Sequence, residues 1–171
     1  MTEEEIKALI EAQQAHWTEL HEKHFVGLTD ISMIVLKGHL LVEQLLTSLL
    51  SHSCHSSAEL SKARLRFPQK VALVKAIVVL PFPDELWNFL ELINQLRNDI
   101  SHQLEPELEG HLKTVRAMAD AQRKITPDEF KARFDTDEGS LAMLISFWLG
   151  LLGAADSILQ LMRARGDFKE W

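Results

Sequence analysis

At 171 residues, with 46% hydrophobic and 25% charged side chains, the chain has the size and make-up of one globular domain with a real core. Eighteen basic against 25 acidic residues leave a net charge of −7, which excludes broad charge-driven nucleic-acid binding but not a local basic cleft. Cys54 is the only cysteine, so an intrachain disulfide is excluded and a reducing compartment is the natural setting.

Long apolar-periodic stretches with only seven glycines and five prolines point to an all-α chain. The acidic start, Met1 to Glu5, lacks the basic and apolar regions of a signal peptide, and a cytoplasmic protein is expected. A first helix is expected from Thr2 to about Phe25, with Ile6, Leu9, Ile10, Trp17, Leu20 and His24 on one face and Gly27 as its stop. The second starts at the cap residues Thr29 or Asp30 and runs to about Leu50, apolar nearly all round and therefore central. Gly38 in its middle marks a close backbone approach. Ser51 to Ser61 reads as a polar, Ser/His-rich connection. Pro68 opens a short third helix to Val79, and Pro81-Phe82-Pro83 forces a turn.

Asp84 opens the fourth helix, with Leu86, Phe89, Leu90, Ile93, Leu96 and Ile100 on its core face and Pro106 as its end. Asn94, Arg97, Asn98 and Ser101 fall on a neighbouring polar stripe. A fifth, more exposed helix spans Leu108 to about Lys124, and Thr126-Pro127-Asp128-Glu129 reads as a capping-box start of a short segment ending near Phe134. The last helix runs from about Ser140 to Ala164, with Gly166 as its stop. Its apolar run, Leu141 to Ala155, is broken by Asp156 and shorter than a span of about 20 residues, so it reads as core and no membrane partner is expected. The expectation is a single domain of five to six main helices.

The chemistry concentrates in Leu96-Arg97-Asn98-Asp99-Ile100-Ser101-His102. Arginine is a permanent cation that forks onto phosphate, and histidine moves protons near neutrality. Together they suffice for metal-free work on a phosphodiester. On an ideal helix, however, Arg97 and His102 stand about 140° apart. They meet one phosphate only if the helix ends or bends near Ser101, or if a second subunit completes the site. The plain alternative is an Arg and a His that merely suit the negative end of a helix.

Three stretches in order, Gly38-His39-Leu40-Leu41-Val42-Glu43-Gln44-Leu45-Leu46, Phe67-Pro68-Gln69-Lys70-Val71-Ala72-Leu73-Val74 and Leu92 to His102, carry a resemblance. Over roughly residues 30–105 the chain resembles the HEPN superfamily, the higher-eukaryote and prokaryote nucleotide-binding helical domains, with residues 140–164 completing the bundle. The resemblance implies a metal-independent endoribonuclease, common among toxins and antiviral effectors, acting on RNA as a symmetric homodimer with no cofactor. Carried over, Arg97 would hold the scissile phosphate, His102 would serve as general base or acid for the ribose 2′-hydroxyl, and Asn98 would orient a motif residue or the phosphate. Asn94 and Ser101 would support them. The chain departs from one large subgroup, which has Tyr two residues after the His, at Leu104. Asp99, Glu105, Glu107 and Glu109 crowd the motif with negative charge. Some HEPN-like domains are non-catalytic, and a regulatory or protein-interaction module, bound to a neutralising or other protein partner, is the alternative.

Other constellations weigh less. Glu43, four residues after His39, is a candidate polar partner for Arg97 or His102, or half of an internal ion pair. Arg64, Arg66, Lys70 and Lys75, and separately Lys113, Arg116, Arg123 and Lys124, are candidate RNA-backbone contacts or solvated helix faces. His52, Cys54 and His55 resemble metal ligands by type, as His16, His21 and His24 do as helpers, but match no zinc spacing; no metal is expected. Trp17, Trp87 and Trp148 sit in apolar patterns as core or interface residues, and the role of Trp171 is open.

Overall fold

Apolar periodicity becomes helix along nearly the whole of the computed structural model, which describes residues 3–166. The order is α1 (Glu3–His24), α2 (Ile31–Ser53), α3 (Ser57–Lys62), α4 (Phe67–Ile77), α5 (Asp84–His102), α6 (Glu109–Arg123), α7 (Asp128–Lys131), a 3-10 turn (Ala132–Phe134) and α8 (Asp137–Arg165). No strand occurs among the described residues. Among the described residues there are eight α-helices where five to six main ones are expected, because two short ones, α3 and α7, form where only connections or a brief segment were read. The side chains of Ile6, Leu9, Ile10 and Trp17, and Trp171 altogether, lie outside the described residues.

Local chemistry sets the boundaries. The Asp30 carboxylate accepts from the Ser32 N–H at 2.8 Å and caps α2. Gly27, at φ +80°, and Gly166, at φ +71°, adopt the left-handed backbone that ends α1 and α8. The polar stretch after Leu50 is not a plain connection. It continues α2 through Ser53, and Ser56 then accepts from the Glu59 N–H at 3.3 Å to start α3. The expected capping box at Thr126 does not form. Its hydroxyl donates back to the Gln122 carbonyl at 2.9 Å, and Pro127 stands at the cap of α7. Nor does α5 last until Pro106; it stops at His102.

The core lies where α2 and α8 cross, with α1 and α6 packed against α8, and α4 and α5 against α2. Val42, Leu46, Leu49, Phe89, Ile93, Ile145 and Leu152 are wholly inaccessible. Each such side chain contributes about 1.5–3 kcal/mol by leaving water. Gly38 makes the α2–α8 approach possible: a Cβ there would stand 2.5 Å from Cδ1 of Ile145. The apolar run of α8 is not interrupted as a helix by Asp156, whose carboxylate accepts from Ser48 Oγ and from His52 Nδ1, each at 2.8 Å. By length and composition alone, α2 and α8 are each apolar enough to cross a bilayer, and half of that stretch of α8 is buried inside the bundle.

Candidate functional site

The amphipathic character of α5 decides where its polar residues go. Leu86, Phe89, Leu90, Ile93 and Leu96 are buried, and Ile100 packs against the same core. Arg97 lies at the edge of this face and Asn94 about 60° round from it, so both are half-buried. His102 points away from the core and is exposed, as is Ser101. The helix is unbroken from Asp84 to His102, so no bend carries Arg97 and His102 together.

A side-chain hydrogen bond shortens the gap instead. Arg97 Nη1 donates to Asn98 Oδ1 at 3.2 Å. Asn98 and His102 are one turn apart and only about 40° round the helix. The guanidinium is thereby drawn toward the stripe that carries the exposed imidazole. No carboxylate among the described residues forms an ion pair with Arg97. Of the acidic residues crowding the motif, Asp99 accepts from His111 Nε2 at 2.8 Å and from Gln103 at 3.3 Å. Glu109 is held by Arg116.

Deeper in, a second polar group forms between α2, α4 and α5. Lys70 Nζ donates to Glu43 Oε1 at 2.8 Å, and the His39 ring lies 4.0 Å from the other oxygen. His39 is buried, stacks on Phe67 with ring centroids 4.2 Å apart, and has no hydrogen-bond partner at Nε2. Burial pushes its pKa down, with Arg97 and Lys70 acting in the same direction against Asn94 and Glu43. The ring is therefore neutral at pH 7. Glu43 thus partners Lys70 and not Arg97 or His102, because Lys70 enters on α4 from the side that faces α2. For the same reason Lys70 is withdrawn from the set of free cations.

Arg64, Arg66, Lys113 and Lys124 are exposed and form no ion pair among the described residues, and Lys75 lies over the Trp87 ring at 5.5 Å. On α6, Arg116 is clamped by Glu109 and Asp137, both carboxyls being held below their usual range by it. Arg123 pairs with Asp135 at 3.0 Å. Neither is a free phosphate contact. His52 is taken up by Asp156, and among the described residues no group of three or more His, Cys, Asp or Glu is placed to hold a metal ion. Trp148 is buried.

Hollows open on the surface formed by the described residues. One of about 310 Å³ is lined by Leu40, Glu43, Gln44, Thr47 and Lys70. Another, of about 430 Å³, lies between Phe25–Thr29 and the start of α8 and includes none of the predicted site residues. The sequence reading passes over His111, which lies beyond Pro106 on a separate helix; only its approach to Asp99 draws notice to it. No family model, curated protein or solved structure matches the chain. Function must be argued from the residues themselves.

Proposed function

We propose that the protein is a metal-independent endoribonuclease of HEPN type, working in the cytoplasm as a homodimeric toxin or antiviral effector. The observation that carries this reading is the state of the motif. His102 is solvent-exposed at the end of α5, and Arg97 pairs with no carboxylate among the described residues and is tethered to Asn98. A core ion network would instead have joined both to Glu43, whose partner is Lys70.

The chemistry follows from these groups. Arg97 neutralises the scissile phosphate as negative charge builds on it. His102 takes the 2′-hydroxyl proton, the 2′-oxygen attacks phosphorus, and the bond to the 5′-oxygen breaks. A 2′,3′-cyclic phosphate and a 5′-hydroxyl result. Asn98 keeps the guanidinium in place, and Arg64 and Arg66 are among the exposed cations for a strand to follow.

The test is cleavage of labelled single-stranded RNA in excess EDTA, comparing wild type with His102→Ala and Arg97→Ala. Cyclic-phosphate ends made by the wild type, with a loss of about 10²–10⁴-fold in His102→Ala, support the reading. A folded wild type that leaves several RNAs intact sinks it. That result favours a binding module, for which the hollow beside Leu40, 60% exposed, is the docking candidate.

A further inference from the structure

Cleavage by 2′-hydroxyl attack moves two protons: one leaves the nucleophile and one must reach the departing 5′-oxygen. His102 accounts for one of them. The structure offers a second imidazole beside α5, supplied by the first turn of α6. His111 Nε2 donates to Asp99 Oδ2 at 2.8 Å, and Asp99 precedes His102 by three residues, about 60° round the helix. The geometry points to His111 as the proton donor to the 5′-oxygen, with Asp99 as its positioning residue. This inference rests on the ribonuclease reading above.

Three features carry the assignment. A carboxylate on Nε2 fixes the tautomer and ring orientation and leaves Nδ1 as the nitrogen that exchanges a proton. The carboxylate is also a ready counter-ion for the imidazolium that an acid must be before it donates. Asp99 is further fixed by Gln103, which donates to its other oxygen at 3.3 Å, so the Asp–His pair is held from both sides. Finally, the pair is open to solvent in part, with 24% of the His111 side chain and 34% of that of Asp99 exposed, as a group meeting a substrate must be. His102 has no such partner among the described residues and is left free to act as the base.

The proton balance closes with two imidazoles. His102 accepts the 2′-hydroxyl proton as the 2′-oxygen bonds to phosphorus. His111 gives its Nδ1 proton to the 5′-oxygen as the phosphorus–5′-oxygen bond breaks. Asp99 keeps its charge throughout. Asp99 thereby changes from a residue that repels RNA into one that orients a catalytic ring.

A leaving group that needs no protonation separates the two roles. His111→Gln, His111→Ala and Asp99→Asn are compared with wild type and His102→Ala on normal RNA. The same set is then assayed on RNA whose scissile 5′-oxygen is replaced by sulfur, with thermal melts confirming the fold of each. The His111 variants should lose about 10²-fold or more on normal RNA and return to near wild-type rates on the sulfur substrate. His102→Ala should stay slow on both. Asp99→Asn should lose about tenfold in kcat with little change in KM, and also recover on sulfur. Wild-type cleavage matched by folded His111→Gln overturns the assignment and leaves the ribonuclease intact. A loss in the His111 variants that is equal on both substrates overturns the acid role. Failure of wild type to cut either substrate removes the ribonuclease itself and this inference with it.

Discussion

Two polar groups lie within a few turns of each other on the same scaffold, and they behave in opposite ways. The inner one, His39, Glu43 and Lys70 with Asn94 beside it, is closed: its charges pair with each other and its imidazole is kept neutral by burial. The outer one, Arg97, Asn98 and His102 with Asp99 and His111, is open: its cation has no counter-ion among the described residues and its terminal imidazole faces water. Both contain a histidine, a cation and an amide, so residue type does not separate them. Position relative to the core does: His39 and Glu43 on α2 meet Lys70 of α4 and Asn94 of α5 where these helices pack, whereas His102 lies on the outward side of α5. Arg97 stands at the border, close enough to His39 to disfavour its protonation yet hydrogen-bonded outward to Asn98. A buried ion pair contributes chiefly by not being left unpaired, whereas an open cation is available to a ligand.

The sharpest way to break this comparison is to treat the two groups identically. His102→Ala, in the open group, should abolish RNA cleavage by the factor given above while moving stability by no more than about 0.5 kcal/mol. A variant that unfolds would place His102 in the structural group. Glu43→Ala, in the closed group, should do the reverse. It leaves Lys70, only 16% exposed, without its carboxylate. A fully buried pair so broken costs about 3–5 kcal/mol; here water reaches Glu43, and roughly 1–2 kcal/mol is expected in urea unfolding. Adding Lys70→Met should recover most of that loss, and an additive double variant would show that the two residues are not coupled.

Smaller still is the effect expected where α2 meets α8. Gly38→Ala gains about 1 kcal/mol of helix propensity, but its methyl group meets Ile145 in a filled core, where overpacking costs about 1–3 kcal/mol. A net loss of about 1 kcal/mol should follow. Ile145→Val removes the atom that the new methyl would strike, so the double variant should be less destabilised than the two single losses combined. Equal additivity would mean that α8 simply moves aside.

Much of this was legible in the residues. The core face of α5 and the close approach at Gly38 follow from periodicity and from one glycine in an apolar helix. The angle of about 140° between Arg97 and His102 follows from spacing, whereas the exposure of His102 had to come from the structure. What could not be read depends on contacts between helices distant in sequence. Glu43 was open between Arg97, His102 and an internal pair because helical spacing says which face a side chain occupies, not which helix arrives there. Lys70, Asp156 and Asp99 all find partners across such gaps, 27, 104 and 12 residues away in the chain. The short helices α3 and α7 escaped for another reason: at six and four residues they carry too little periodicity to detect.

The smallest effect separates the two groups by pH. His39 and His21 are buried, and in both burial is the main force lowering the pKa from its ordinary 6.5, helped at His21 by Arg133. Between the folded-state value and 6.5 the unfolded chain binds more protons, so stability rises with pH across that window. The contribution is complete above 6.5, is lost as pH falls below it, and levels off once the folded-state pKa is passed. Urea midpoints taken at pH 7, 6 and 5 should therefore decline. His39→Leu removes one titrating group together with a buried nitrogen that has no partner, so it should flatten that decline at little expense to stability at pH 7. His21→Gln should flatten it too, though at some cost, because the Ser146 hydroxyl donates to the Ala142 carbonyl and so accepts from His21 Nδ1, 2.6 Å away. A slope unchanged in His39→Leu alone would put the acid sensitivity on His21. Unchanged slopes in both would mean that neither ring is held neutral by the fold, and the closed group would lose the property that most distinguishes it from the open one.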